Sequence, residues 1–318
     1  MRISKLALLF LTVFLSGAGT LVLAADGPKE TPKAAPKEEP IDPDVLRKVR
    51  KLIQGTLSSE EKDREKAWND LRDMGNLAVP GLIGVYRQKT TTPEEVRAIL
   101  IALGDSKDPR AGPALVELLA SPEKMIRRDA ARAIGDTGYK GAIPALETLA
   151  RDVKEDEEVR LFCAAAAAKL GSADALKILS GLMKSEHPEI RSRAVFALGK
   201  NGGAAQAPEI ELALADTDAS VREDAVEALR LLKQEQAWPG LIKATADSEY
   251  KIRNAAMDAL KEMTGQRFGN DPKAWQEWFK NGAKKEDVKS RGHVKKIETT
   301  DHGQGMSGPD ENDTDDKD

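Results

Sequence analysis

The side chains that could carry acid–base, nucleophilic or metal chemistry are few in this sequence. The chain has one cysteine, Cys163, and three histidines, His187, His293 and His302. One cysteine excludes an intramolecular disulfide and a metal site built from several thiolates. His187 follows Glu186, and we interpret it as an exposed turn residue rather than as a metal ligand. No Gly-rich phosphate loop and no Ser/His/Asp spacing is recognisable. The sequence therefore predicts a protein that is not an enzyme and that has no catalytic residue, cofactor or metal site.

The composition favours close helix packing over a ligand pocket. Cys163 precedes five alanines, 164–168, and we predict an inert packing thiol there, because a buried cysteine behaves as a small hydrophobic residue. Aromatic residues make up 4% of the chain, which does not suit a deep aromatic-lined pocket. The formal net charge is −4, and an acidic chain is a poor candidate for binding nucleic acid.

Two kinds of residue recur along the chain with one period. Successive arginines lie 33, 30, 33, 31, 31 and 31 residues apart, at Arg64, Arg97, Arg127, Arg160, Arg191, Arg222 and Arg253. Successive prolines lie 33, 31, 64 and 31 residues apart, at Pro80, Pro113, Pro144, Pro208 and Pro239. The interval of 64 is two periods. Two independent markers at a period of about 31 residues indicate structural repeats that stack on one another.

Each repeat is predicted to consist of two helices. The first, or A helix, opens at or beside the proline, where a missing N–H leaves no bond unmade. The second, or B helix, carries the arginine and reads hydrophobe-Arg-x-x-Ala-x-x-Ala-Leu-Gly, as in 190–199. The residue before the arginine and those at +3 and +7 share one apolar face, and alanines at +3 and +6 allow close approach of neighbouring helices. We expect the closing glycine to be a left-handed helix stop.

Two repeats depart from this pattern. Around Arg160 the glycine comes late, at Gly171, and the spacing predicts a B helix that is longer by most of a turn. The A helix that follows lacks the proline. Around Arg97 the Leu-Gly pair comes one residue early, at Leu103 and Gly104.

The motif resembles the short HEAT-like repeats also seen in phycobilisome-lyase and deoxyhypusine-hydroxylase relatives. The resemblance covers 42–264 and implies an all-α, armadillo-like fold, a right-handed α-solenoid of about seven helix pairs. The hydroxylase relatives bind metal through repeated His-Glu pairs, and this sequence has none. The lyase resemblance implies chromophore attachment, which takes place inside the cell and does not fit an exported chain.

The sequence before the repeats predicts export. Residues 1–25 combine Arg2 and Lys5 with an apolar run and small residues before a cleavage point after Ala24 or Ala25, which is the pattern of a secretory signal peptide. The alternative is an uncleaved anchor, since 6–23 is just long enough to span a bilayer. The Pro-, Lys- and Glu-rich stretch 26–41 is predicted to be an extended, disordered linker. The expected location is the periplasm or the medium.

Aromatic residues gather just after the repeats. We predict that 265–283 forms a C-terminal capping helix in which Trp275, Trp278 and Phe279 cover the last apolar face, because a stack of repeats needs its end covered. The alternative is an aromatic patch for a partner. The acidic stretch 284–318 is predicted to be a disordered tail.

The seven arginines allow two interpretations. They could line a groove for an acidic ligand, or each could bond carbonyls or a carboxylate of the neighbouring repeat. Recurrence at one repeat position favours the structural role. Outward positions that vary between repeats are better candidates for a partner-binding face, with Phe196 as an aromatic anchor: Arg128, Arg132, Arg193, Phe196, Glu223 and Glu227.

Together these features predict a non-catalytic protein–protein interaction scaffold in the cell envelope or secreted. Its partner is another protein or peptide and not nucleic acid. The chain would contact a membrane only if the signal segment stays uncleaved. Two alternatives remain open at this point: a lyase-type accessory factor or enzyme subunit, and a membrane-tethered structural component of the envelope.

Overall fold

The computed structural model describes residues 41–88 and 91–283. In these residues all regular structure is helical, with fifteen α-helices joined by turns and short 3-10 segments. The predicted signal peptide (1–25), all but the last residue of the predicted linker (26–41) and the predicted tail (284–318) lie outside the described residues. Within the described part of the chain, no helix is both long and apolar enough to cross a bilayer.

Fourteen of the helices alternate as A and B helices and form seven pairs. The A helices are α1 (Pro43–Gly55), α3 (Ala78–Tyr86), α5 (Gly112–Leu118), α7 (Ile143–Arg151), α9 (Ala173–Leu182), α11 (Ala207–Leu212) and α13 (Trp238–Ala244). The B helices are α2 (Glu61–Met74), α4 (Pro93–Ser106), α6 (Lys124–Thr137), α8 (Glu157–Lys169), α10 (Pro188–Asn201), α12 (Ala219–Leu232) and α14 (Tyr250–Thr264). The last helix is α15 (Pro272–Lys280). The predicted all-α array of helix pairs with a C-terminal helix is confirmed.

The A helices start where the sequence places their prolines. In α5, α7, α11 and α13 the proline occupies the first turn, after a single 3-10 turn that leads into the helix. In α9, which has no proline, the Ser172 hydroxyl accepts a hydrogen bond from the Ala175 N–H at 3.0 Å and caps the first turn instead. Proline has no N–H group, and the serine hydroxyl accepts a hydrogen bond from one. Both residues therefore reduce the number of unsatisfied N–H groups at a helix start.

The B helices bury the face that the motif predicts. In α10 the residues at −1, +3 and +7 from the arginine are Ile190, Ala194 and Leu198, all under 9% exposed. The same three positions are buried in the helices on either side of it. The equivalent residues are Ile126, Ala130 and Ile134 in α6, Val159, Cys163 and Ala167 in α8, and Val221, Ala225 and Leu229 in α12.

The glycine of the motif has a different role from the predicted one. Gly135 and Gly199 lie inside α6 and α10, and neither has a positive φ, so the prediction that they are left-handed stops is wrong. A Cβ on Gly135 would lie 3.2 Å from the Ala166 Cα, and one on Gly199 would lie 2.6 Å from the Ala228 carbonyl oxygen. The glycine therefore lets the next B helix approach to backbone contact.

In α6 and α8 a left-handed glycine comes three residues after the packing position, whereas Gly202 at the same place after α10 has a φ of −89°. Gly138 ends α6 at φ 75°, eleven residues after Arg127, and Gly171 follows α8 at φ 100°, eleven residues after Arg160. Gly171 is therefore the counterpart of Gly138 and not of the packing glycine. The prediction of a longer helix is wrong, because α8 has 13 residues against 14 in α6.

Helix α15 covers the end of the last pair with aromatic rings. Trp275 is fully buried and meets Phe268 edge to face at a centroid distance of 5.0 Å. Trp278 lies 5.5 Å from Trp238 of α13. Phe279 packs against the core while partly exposed. These contacts place the aromatic residues between α15 and the preceding repeat, which is the arrangement expected of a cap.

Replacing Gly199 with alanine should destabilise the fold. The added Cβ clashes with the backbone at Ala228, and such overpacking costs about 1–3 kcal/mol, more than the helix propensity that alanine gains. The matched control is Gly181→Ala in α9, where a Cβ meets nothing within 4 Å and the substitution should stabilise by about 0.5–1 kcal/mol. Urea unfolding followed by circular dichroism measures both. A Gly199→Ala variant as stable as the wild type would contradict the role assigned to this glycine.

Candidate partner-binding face

Three of the recurring arginines tie neighbouring repeats together through the turns between A and B helices. Arg191 in α10 shows the pattern. Its Nη1 donates to the Ser185 and Glu186 carbonyls of its own turn at 2.9 and 3.3 Å. Its Nε and Nη2 donate to the Asp216 carboxylate of the next turn at 2.7 and 2.8 Å. That carboxylate also accepts from the Asp218 N–H at 2.9 Å, so the turn itself is fixed.

The ties form a continuous series from α10 to α14. Arg222 donates to the Asp216 carbonyl at 3.1 Å and to the Asp247 carboxylate at 2.8 Å. Arg253 in turn donates to the Asp247 carbonyl at 2.8 Å. Upstream, Arg127 bonds the Glu155 carboxylate through two nitrogens at 2.7 Å each. Asp216 and Asp247 therefore each link two successive arginines, the first through the carboxylate and the second through the backbone carbonyl.

The remaining arginines depart from this series in different ways. Arg64 donates to the Ser58 and Ser59 carbonyls of its own turn, at 2.8 and 2.7 Å. The Arg160 Nε donates to the Ala150 carbonyl at 3.1 Å. The Arg97 Nε donates to the Asp129 carboxylate of α6 at 3.2 Å.

The early Leu-Gly pair explains the departure of Arg97. In α4 the glycine comes seven residues after the arginine instead of eight, and the left-handed stop at Lys107 comes ten residues after it instead of eleven. Val96 therefore occupies the place that Arg127 has in α6. Gly104 still packs on the next B helix, 3.3 Å from the Ala133 Cα, so the packing glycine and not the arginine keeps the register.

The ties are charged at neutral pH. The bond from Arg127 lowers the pKa of Glu155, and the bond from Arg191 lowers the pKa of Asp216, in each case against a smaller opposing effect of burial. The side chains of Glu155 and Asp216 are no more than 13% exposed. These paired arginines are occupied by the fold and are not free to hold an acidic ligand.

A groove of about 260 Å³ opens on the outward face of the B helices α6, α8 and α10. Small residues form its floor, two phenylalanines form its walls, and charged residues form its rim. We call it the B-face groove, and its lining is Gly135, Ala165, Ala166 and Ala197 in the floor, Phe162 and Phe196 in the walls, and Arg132, Asp136, Lys169, Arg193 and Lys200 in the rim, with Leu161 and Asn201 beside them.

Phe162 in α8 is held between two arginines from the neighbouring B helices. The guanidinium carbons of Arg128 and Arg193 each lie 5.7 Å from its ring centroid. Both arginines also approach the Glu158 carboxylate, at 3.4 and 3.5 Å. Each cation–π contact contributes about 0.5–1 kcal/mol at such an exposed site. The ring is therefore fixed at the centre of the face, with one carboxylate shared by two cations.

The B-face groove has an excess of positive charge. Its rim has four cations, Arg132, Lys169, Arg193 and Lys200, and one carboxylate, Asp136, which pairs with Lys169 at 2.6 Å. Within the described residues, neither Arg132 nor Lys200 has an ion-pair partner within 4 Å. Phe196 is 37% exposed beside them. The groove thus offers an aromatic surface bordered by cations that a ligand can reach.

Three of the six predicted face residues line the groove and three do not. Arg132, Arg193 and Phe196 lie together in it, and Arg128 borders it through Phe162. Glu223 instead pairs with Lys251 at 2.7 Å, and Glu227 pairs with Arg230 at 2.6 Å, both farther along the same face.

The sequence reasoning missed Phe162, Lys169 and Lys200. Phe162 follows Arg160 by two residues, the same offset as Arg193 from Arg191. The two lysines follow their arginines by nine residues, a position the motif did not include. Extending the repeat motif by one turn past the glycine would have found them.

A second cavity, of about 370 Å³ and without an aromatic side chain, is lined by Arg151, Glu157, Arg160 and Lys184. Metal ligands do not converge in the described part of the chain. No group of three or more His, Cys, Asp and Glu side chains is placed there so that it could hold a metal ion. Cys163 is fully buried in α8, and burial raises its thiol pKa to about 12, so the thiol stays protonated. Of these two cavities, the B-face groove is the one that combines aromatic walls with an excess of cations.

Paired helices that stack in one direction and expose a continuous B-helix face define an α-helical repeat protein. A family model described as HEAT repeats matches 79–157, 113–199, 151–229 and 180–261. These matches together span 79–261, more than half of the 318 residues. The chain belongs to the HEAT-repeat family.

Several solved structures are similar to this chain. The complex of CpcE and CpcF of phycocyanin lyase from Nostoc sp. PCC7120 has 19% identity and a TM-score of 0.45, over 80% of this chain and 99% of that chain. Human deoxyhypusine hydroxylase has 18% identity and a TM-score of 0.33, over 70% and 98%. A designed armadillo repeat protein in complex with the peptide (KR)4 has 20% identity and a TM-score of 0.39, over 68% and 99%. No curated protein sequence matches the chain significantly.

Replacing Glu155 with glutamine should destabilise the protein in a pH-dependent way. Hydrogen bonds to a charged partner contribute about 1.5–3 kcal/mol, so a loss of that order is expected at pH 7. Because the folded-state pKa of Glu155 is lowered, its contribution is fully present above the unfolded pKa of about 4.3 and is lost as the pH falls through the folded pKa. The difference between variant and wild type should therefore shrink below about pH 4.

Asp258→Asn is the matched control, since Asp258 is an exposed carboxylate on α14. Urea unfolding at a series of pH values measures all three proteins. A Glu155→Gln variant whose stability follows the wild type at every pH would show that the tie between α6 and α8 contributes nothing.

Proposed function

We propose that this protein is a non-catalytic scaffold that binds an acidic segment of another protein in the B-face groove. The carrying observation is the groove itself, in which two phenylalanines are bordered by four cations and one carboxylate. Aromatic and arginine side chains are the residues that contribute most to protein–protein binding. An acidic segment with one apolar side chain would complement both features.

The arrangement of arginines supports this occupant. Arginines of the turn edge are used by the fold, as Arg127 and Arg191 show, whereas the rim cations Arg132, Arg193 and Lys200 are exposed. An excess of three positive charges suits a short acidic peptide. Nucleic acid is a poorer fit, because affinity for a phosphate backbone grows with the number of phosphates that are neutralised.

We further propose that the scaffold acts outside the cytoplasm, in the periplasm or the medium. Support comes from the sequence of 1–25, with its basic start, apolar run and small residues before Ala24 and Ala25. The Pro-rich stretch 26–41 would then separate the repeats from the point of export.

The mature chain should begin at Ala25 or Asp26. Mass spectrometry of the protein purified from its native host, with N-terminal labelling, measures this directly. A mature protein that retains 1–25 would contradict the proposed cleavage and would favour a membrane-anchored form.

A photo-crosslinking amino acid at Phe196 tests the binding site. Phe196 lies in the groove and is exposed, so a cross-linker there should capture a protein partner in the native envelope through a peptide rich in Asp and Glu. The matched control is the same cross-linker at Tyr250, which is 65% exposed but lies at the start of α14, outside the groove.

The groove charges provide the second arm of that experiment. Arg132→Glu together with Lys200→Glu should weaken binding of the captured peptide by about tenfold or more, since about 1.4 kcal/mol corresponds to tenfold. Binding should also weaken with added salt, because the charges are exposed. Cross-links at Tyr250 but not at Phe196, or affinity that the double variant leaves unchanged, would contradict the proposal.

A further inference from the structure

The chain contains an acidic segment of the kind that the B-face groove would bind. Residues 310–318 carry six carboxylates and one lysine, a net charge of −5. We infer that this segment of the same chain binds in the B-face groove and competes there with the acidic segment of a partner. The inference rests on the function proposed above, because it assigns an internal ligand to the same site.

The outward face of the B helices changes its charge along the array. The groove between α6 and α10 is basic, whereas the next two B helices present carboxylates. Five carboxylates lie on this stretch, against the three cations Arg230, Lys251 and Lys261: Glu223, Asp224, Glu227, Asp258 and Glu262. Arg230 and Lys251 pair with three of the five, Glu223, Glu227 and Glu262. Along the B helices from α14 toward α8, the surface is therefore acidic first and basic second.

The segment after α15 has the opposite order of charge. Residues 284–318 lie outside the described residues, and their order of charge is a property of the sequence. Residues 284–296 contain six basic and two acidic side chains, a net charge of +4, and 310–318 has a net charge of −5. Basic residues would thus lie along the acidic helices α12 and α14, while the acidic residues would reach the groove. This match in order is more specific than the attraction of one acidic run for one basic patch.

The length of the chain fits the distance. Neighbouring packed helices lie about 8–10 Å apart, so the three steps from α14 to α8 span about 24–30 Å. Twenty-six residues separate Ala283, where the described residues end, from Asp310. A flexible chain of that many residues has a root-mean-square end-to-end distance of about 26–31 Å. A tether whose length matches the span gives an effective concentration in the millimolar range, so even weak binding fills the site.

A partner must therefore displace residues 310–318 from the groove before its own acidic segment can bind there. Neutralising the six carboxylates of 310–318 by Asp→Asn and Glu→Gln substitutions frees the groove. The affinity for the captured partner peptide should then rise by about three- to tenfold. The same substitutions should have no effect on a chain whose groove already carries Arg132→Glu and Lys200→Glu.

A spin label on the full-length chain tests contact between segment and groove. Ser307→Cys provides one reactive thiol just before the acidic run, and Cys163 does not react because it is fully buried. The groove floor supplies the probes, since ¹³C-labelled methyl groups of Ala165, Ala166 and Ala197 line it. The label should broaden these methyl signals strongly, and high salt should restore them.

Three variants of the labelled chain decide the outcome. Broadening should disappear when 310–318 is neutralised and when Arg132 and Lys200 are both replaced by glutamate. It should persist in Lys251→Glu, a charge reversal on α14 outside the groove. Absence of broadening in the labelled wild-type sequence, or broadening that survives neutralisation of 310–318, overturns the inference. The neutralised chain leaves the repeats unaltered, so this test stands even if the groove variant folds poorly.

Failure of this inference can be told apart from failure of the proposed function. Cross-linking of a partner at Phe196 without broadening of the alanine methyls refutes the internal ligand alone. Broadening that depends on 310–318, with no partner captured at Phe196, supports the internal ligand and counts against the scaffold function.

Discussion

The structure depends on the close contact between neighbouring B helices. A single helix pair cannot bury its apolar face, so each pair must pack against the next one. Gly135 and Gly199 make that contact possible, because any Cβ there would meet an alanine of the following helix. Alanine at the facing position, as at Ala166 and Ala228, completes the fit. Gly135 and Ala166 also lie in the floor of the B-face groove, so the packing that holds these repeats together also creates the space for a ligand.

The arginine ties also supply hydrogen bonds to backbone carbonyl groups of the turns. Carbonyl groups at the end of each turn would lack a hydrogen-bond donor in the packed edge. The Arg191 guanidinium donates to such a carbonyl and also to the Asp216 carboxylate of the next turn. An arginine used in this way is a poor ligand for a partner. Binding is therefore left to positions where the repeats differ, such as the place of Phe162 in α8, where α10 has Arg193 and α14 has Ala255.

The sequence predicted the repeat period, the seven helix pairs and the buried face of the B helices, because each rests on spacing alone. It did not predict the role of the glycines. Gly135 and Gly138 are both near a helix end, and only their φ angles and neighbours show that the first packs and the second stops the helix. Confusing the two led to the wrong length for α8. For the groove, the motif predicts which residues of a B helix face outward, but it does not predict which charged side chains form ion pairs with one another. The partner of Glu227 is three residues away on its own helix, a choice that depends on side-chain geometry.

Amide hydrogen exchange on an Ala166→Leu variant tests the central claim most directly. The substitution adds bulk at the contact between α6 and α8, where a Cβ on Gly135 would already lie 3.2 Å away. If each repeat is held only by its neighbours, exchange should become faster in α6 and α8 while α2 and α14 keep the rates of the wild type. Equal acceleration in every helix, or no acceleration in α6, would contradict the account.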